Sequence, residues 1–275
     1  MTASDKMFGK KERRRAKILE LLASTPLSTI AGLAETFGVS DETIRQDLKS
    51  DALKDRVMLA HGSVALRTSV VGTGVPFSFR KSVKSESKAE LAKRAADLIE
   101  PGQSVIVEHS AVGSLLAEEI IRRPALRDTI TLVTNSFPIM HSLIEAQAET
   151  RAVFLGGRFV PGQLNTYGPT TVSQLTALHA DVGFLSPAAV DERLMVTGCI
   201  EEDVEFKHAI KQRCERCALF LEQGKLGNAA LLDIAHAYEY DTIVTNARFT
   251  AAQEKLFAKH RVRIERPDSA GPNQA

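Results

Sequence analysis

The sequence predicts two dissimilar domains in tandem: a small helical unit completed by a β-hairpin, then a larger α/β domain with a doubly wound, mostly parallel, Rossmann-like sheet covered by helices on both faces. Three observations carry this. Three short helical patterns and two extended runs fall before residue 67. Short Val/Ile/Leu/Phe runs alternate with helical patterns from residue 86 to 266. Between them, residues 68–85 are rich in Ser, Thr, Gly and Pro without a sustained period, the composition of a linker. A length of 275 residues fits two domains of unequal size. The expected boundaries are therefore 1–67, a linker at 68–85, an α/β domain over 86–266 and a disordered tail over 267–275.

In the first domain, Ile18, Leu19, Leu21 and Leu22 behind Ala16 form the apolar stripe of a helix over Glu12–Ala23, with arginines on its other face; Pro26 ends it. Ile30, Leu33, Ala34 and Phe37, spaced three and four apart, predict a second helix stopped by Gly38. Ser40 then suits an N-cap, Asp41 and Glu42 suit the positive end of a helix dipole, and Ile44 and Leu48 give the third helix its buried face. Val57–Leu66 reads as two strands around a glycine turn. Helix, turn, helix and hairpin together are the pattern of a winged helix-turn-helix.

In the second domain, strands are expected at 104–107, 130–133, 152–155, 182–185, 218–221 and 242–244. Helices are expected at 86–99, 113–122, 137–146 and 202–213.

Composition excludes several classes. Apolar residues make up 44% and charged residues 25%, enough for a real core and against disorder. No apolar run approaches the roughly 18 residues of a membrane span, and the basic N-terminus does not read as a signal peptide, so a cytoplasmic protein is expected. Cys199, Cys214 and Cys217 give no disulfide framework. The Cys214–Cys217 spacing occurs in zinc sites, but no second clear pair accompanies it. The two thiols are expected to be buried apolar groups, with no metal and no cofactor.

The net charge of +1 hides an asymmetry. Residues 1–67 hold 12 Lys/Arg against 9 Asp/Glu, and the remainder holds 23 against 25. A recognition helix enters the major groove by its N-terminal part, so its exposed positions must donate to base edges or phosphates. Here they are Ser40, Asp41, Thr43, Arg45, Gln46 and Lys49. Arg45 suits guanine, Gln46 suits adenine, and Thr43 suits a phosphate or a thymine methyl. Arg14 and Arg15, with Arg13 and Lys17 beside them and His61 on the wing, are expected to touch backbone phosphates.

The segment Glu35–Asp51 (ETFGVSDETIRQDLKSD), followed by a hairpin carrying His61-Gly62-Ser63, resembles the N-terminal signature of the DeoR family of sugar-responsive repressors. The resemblance continues through residues 76–80, Lys88, residues 95–99, Val133-Thr134-Asn135-Ser136, Leu155-Gly156-Gly157 and Glu222-Gln223-Gly224-Lys225. It implies a regulator whose effector domain shares the fold of phosphosugar isomerases, without catalytic activity.

Ligands of open parallel sheets sit outside the carboxyl ends of the strands. Those positions hold Glu108, His109, Ser110, Asn135, Ser136, Gly156, Gly157, Lys225 and Asn246, with Lys207 as a further cation, and they are the candidate effector site. A phosphate is expected on helix amides near Asn135 and Ser136 or before Gly113, with Lys207 or Lys225 adding charge. The bland alternative is that Asn135-Ser136 cap a helix and Gly156-Gly157 only permit a turn. The chain also departs from the family pattern. An Asp followed by a Gly-Thr-Thr phosphate loop is replaced by Glu108-His109-Ser110-Ala111-Val112-Gly113, Asp-x-Ser-Lys by Glu222–Lys225, and Thr-Asp by Thr245-Asn246. This leaves open an altered or unphosphorylated ligand, or a lost effector response.

The expected function is thus a DNA-binding transcriptional regulator, a repressor of carbohydrate genes, gated by a small phosphorylated sugar or related effector. It is expected to bind a double-stranded operator as a dimer or tetramer. The alternatives are a sugar-phosphate isomerase-like enzyme fused to a DNA-binding module, and a nucleoprotein-organising factor that ignores small molecules.

Overall fold

The computed structural model describes residues 10–24, 28–54, 56–60, 63–66, 77 and 85–267. The chain divides into two compact units, Met1–Lys84 and Ser85–Ala275.

In the first unit, helix α1 (Lys10–Ser24) leads into a two-residue strand β1 (Ser28–Thr29), α2 (Ile30–Phe37), α3 (Asp41–Leu48) and the strands β2 (Val57–Ala60) and β3 (Ser63–Leu66). Side chains fix the helix ends. Thr29 Oγ1 accepts the Gly32 N–H at 2.9 Å and starts α2. Gly38, left-handed at φ 62°, ends α2 and returns its own N–H to the carbonyls of Ala34 and Glu35. Ser40 Oγ accepts the Thr43 N–H and starts α3. The elements close over Ile18, Leu22, Leu33, Ile44, Leu48, Leu53 and Val64, each burying an apolar side chain for about 1.5–3 kcal/mol. Strand β1 was not expected. It lies antiparallel on β3 and makes the hairpin a three-stranded sheet of order β1-β3-β2.

The second unit runs α4 (Ser85–Ala96), β4 (Ser104–Val107), α5 (Ala111–Arg122), α6 (Pro124–Arg127), β5 (Thr131–Thr134), α7 (Phe137–Glu145) and β6 (Arg151–Phe154). A hairpin of β7 (Arg158–Val160) and β8 (Asn165–Tyr167) follows, then α8 (Pro169–Thr176), β9 (Ala180–Leu185), β10 (Ala189–Val190) and β11 (Met195–Gly198). The remainder is α9 (Glu201–Arg213), β12 (Cys214–Leu221), β13 (Leu232–His236), β14 (Thr242–Thr245), α10 (Ala251–Lys259) and β15 (Arg263–Glu265).

Seven strands form one sheet in the order β15-β14-β12-β9-β4-β5-β6, every pairing parallel. Both faces are covered. Val105, Val107, Phe184 and Phe220 pack with Leu91, Leu116 and Ile139 on one side. Ile106, Leu185, Leu219 and Leu221 pack with Leu175, Phe206, Ile210 and Phe257 on the other. All six expected strands lie in this sheet; the seventh, β15, and the separate antiparallel pieces β7–β8 and β10-β11-β13 were not foreseen.

The order of the strands locates the crevice. From β4 the chain steps outward through β5 to β6, then returns to β9 on the other side of β4 and proceeds through β12, β14 and β15. The direction of winding therefore reverses between β4 and β9, the position outside whose carboxyl ends open α/β sheets bind their ligands.

Candidate functional site

The exposed face of α3 carries Arg45 and Gln46, with Lys49 exposed at its C-cap, while Ile44, Asp47 and Leu48 face inward. Ser40 and Thr43 serve the helix start: their hydroxyls lie 2.9 Å apart, and Ser40 also caps the Thr43 amide. Arg14 and Arg15 are not free arms. Asp47, fully buried, accepts from Arg14 Nε at 2.5 Å and from Arg15 Nε at 2.9 Å. The two arginines thereby lock α1 against α3, and their first task is to hold that helix. His61 lies outside the described residues.

At the switch point of the sheet, Glu108 follows β4 and is buried. Its Oε1 accepts the Ser186 N–H from the end of β9, and its Oε2 lies 3.0 Å from Lys207 Nζ. Lys207 projects from α9 and also donates to Asp203 Oδ1 at 2.5 Å, one helical turn away. Asp203 in turn accepts from the Tyr167 hydroxyl at 2.7 Å. Burial pushes the Glu108 carboxyl up to about 7, against the opposing pull of Lys207. Burial alone would lower the Lys207 ammonium, but Asp203 and Glu108 outweigh it and raise it. Burial and the neighbouring Asp203 also raise the Tyr167 phenol well above its ordinary range.

His109 and the end of β5 form the adjoining wall. Asn135 Oδ1 accepts the His109 N–H at 3.0 Å and Asn135 Nδ2 donates to the Thr166 carbonyl at 2.9 Å, so Asn135 ties β4, β5 and β8 together. Ser136 Oγ lies 3.0 Å from His109 Nδ1 and does not cap α7. On the other side, Glu222 at the end of β12 stands 3.9 Å from Lys88 and 3.8 Å from Lys225, and Lys225 donates to Ser186 Oγ and the Pro187 carbonyl. The strand ends thus carry a buried polar network. Such burial is costly unless the groups are paired with each other or with a ligand.

The other expected positions have structural duties. Ser110 Oγ caps the Gly113 N–H at the start of α5. Gly156 accepts from Thr171 and donates to Gln174, and a methyl group at Gly157 would lie 2.1 Å from Thr171 Oγ1, so this glycine pair lets α8 approach the chain. Asn246 accepts from the Gln223 amide and donates to Ser87, clamping the loop after β12 to α4. Sequence reasoning missed Asn165, Tyr167 and Asp203. The Asp203–Lys207 spacing of i, i+4 was a usable signal; nothing local marks the other two.

Cys217 is buried in the core with Leu219 and Leu221, and Cys214 is partly buried beside it. Among the described residues no group of three or more His, Cys, Asp and Glu could hold a metal ion.

Residues 83–247 match the family described as the DeoR C terminal sensor domain, and residues 14–70 match the DeoR-like helix-turn-helix domain. The chain is 24% identical over 256 residues to the glycerol-3-phosphate regulon repressor of Escherichia coli (strain K12), covering 93% of this chain and 99% of that protein. It is 26% identical over 243 residues to the L-fucose operon activator of the same strain, covering 88% of this chain and 97% of that one. To the lactose phosphotransferase system repressor of Streptococcus mutans serotype c it is 24% identical over 248 residues, covering 90% and 96%.

Proposed function

This chain belongs to the DeoR family of transcriptional regulators, and from that premise we propose that it represses genes of carbohydrate use, released from its operator by a small carbohydrate-derived effector. The observation that carries the reading is the presence in one chain of two features: an exposed Arg45–Gln46–Lys49 row on a capped, braced helix and a buried polar network at the switch point of an α/β sheet. The first suits the edges of bases in a major groove; the second suits a small hydroxylated ligand.

Effector control requires that the ligand bind the operator-competent and released arrangements with different affinity. Two copies of α3 on repeated half-sites would multiply a modest single-site affinity, so the working form is a homo-oligomer. No described helix is long and apolar enough to cross a membrane, and the reading places the protein in the cytoplasm with its DNA. Glu108 and Asp203 share the Lys207 ammonium.

A mobility-shift titration on DNA upstream of the protein's own gene and its neighbours, with and without sugars and their phosphates, tests this. Sequence-specific binding altered by one compound is the expected result. Binding without sequence preference, unaffected by every compound, would refute it in favour of a nucleoprotein-organising role.

A further inference from the structure

The network at the switch point identifies the kind of molecule it is built to hold, on the premise that this is the effector site. Its cations are already matched: Lys207 lies against Glu108 and Asp203, and Lys88 and Lys225 lie against Glu222. The start of α5 already spends one of its amides on the protein itself. Ser110 Oγ takes the Gly113 N–H, and a methyl group at Gly113 would lie 2.7 Å from the Glu108 carbonyl and 2.8 Å from Ser110 Oγ, so helix and preceding loop are in direct contact. A phosphate dianion entering here would face Glu108, Asp203 and Glu222 and would have to take a lysine from a carboxylate that depends on it.

One side chain is built in but unused. Asn165, at the start of β8, is fully buried, and neither its amide oxygen nor its amide nitrogen makes a hydrogen bond. The Tyr167 hydroxyl lies close enough to act on this amide, but gives its own proton to Asp203. A buried amide with both ends unmet costs about 1–3 kcal/mol for each, a cost that folding alone does not require. An amide presents a donor and an acceptor side by side, which matches two neighbouring hydroxyls, each able to donate and accept.

We propose that the effector is an uncharged polyhydroxy compound, a sugar or polyol without phosphate, held through adjacent hydroxyls by the Asn165 amide beside the Tyr167–Asp203–Lys207–Glu108 chain. Recognition then runs on hydrogen bonds to hydroxyls, and the lysines serve the protein's own carboxylates.

Calorimetry on the full-length protein tests this with matched pairs: glycerol, ribose, fructose, glucose and galactose against their phosphate monoesters, together with ribitol, xylitol, mannitol and inorganic phosphate. The expected result is saturable binding of at least one neutral compound, its phosphate ester at least tenfold weaker, and no heat from inorganic phosphate. Asn165→Ala should weaken the neutral ligand tenfold or more. Should that variant fail to fold, the near-isosteric Asn165→Asp, which lacks the donor, should lose affinity in the same direction. A phosphate ester that binds as tightly as its parent sugar overturns the proposal while leaving an effector-gated regulator standing. Silence of every neutral compound overturns it too. Operator binding that no compound in either series alters removes the effector reading with it.

Discussion

At the scale of single residues, Arg45 and Asp47 are neighbours with opposite duties. Arg45 is exposed on α3 and free of structural work in the fold, so Arg45→Ala should leave the melting temperature unchanged. The same substitution should cost about 1–3 kcal/mol on specific DNA; equal affinity for wild type and variant in a fluorescence-anisotropy titration would rule out a base contact. Asp47→Ala should do the reverse. It removes the buried acceptor of Arg14 and Arg15 and should destabilise the DNA-binding unit by about 2–3 kcal/mol, seen as a lower midpoint in urea. The exposure of Arg45 and Gln46 was legible because helical period alone decides it. The fate of Arg14 was not, since its partner lies 33 residues away.

Glu108 gives a pH signature. Its carboxyl, 4.5 in the ordinary case, is held at about 7 in the folded chain. Between these values the folded form retains a proton that the unfolded form has released, so stability falls as pH rises through that window. Melts from pH 5 to 7 should show the decline, on the order of 1–3 kcal/mol, and Glu108→Gln should flatten it. An identical slope in the variant would assign the effect to another group.

At the scale of elements, β12 begins at Cys214, four residues before the expected Ala218, and Gly183 on β9 explains the start. A methyl group at Gly183 would lie 2.6 Å from Ile210 Cγ2 and 2.7 Å from Cys214 Sγ, so the thiol fills space that the glycine leaves open. Gly183→Ala should therefore cost about 1–3 kcal/mol by overpacking, and a neutral effect on the denaturation midpoint would contradict this account. The central strands were legible because a parallel strand buried on both faces is a continuous apolar run. Strands β7, β8, β10 and β11 were not, being two to four residues long and holding Asn165, Thr166 and Thr197, whose burial is set by partners elsewhere in the chain. Part of the candidate site hides there. Glu108, His109 and Lys207 stood out at strand and helix ends, whereas Asn165 and Tyr167 arrive on the β7–β8 hairpin, which no local pattern announces.

At the scale of the whole molecule, the reversal of winding that opens the crevice also sets the order in which the protein can be completed on the ribosome. Ser104 and Asp181, which join the starts of β4 and β9, are 77 residues apart. At about 5–20 residues per second, β4 waits roughly 4 to 15 s for that neighbour. During this interval Val105, Ile106 and Val107 line an open parallel edge, the kind of surface on which nascent chains pair with one another. A chain halted after His179 should sediment with aggregates, while one carried through Leu221, with β9 and β12 in hand, should stay largely in the supernatant; equal partitioning of the two would count against this order of events. The strand that carries Glu108 to the switch point is thus also the one that a translating cell must shield longest.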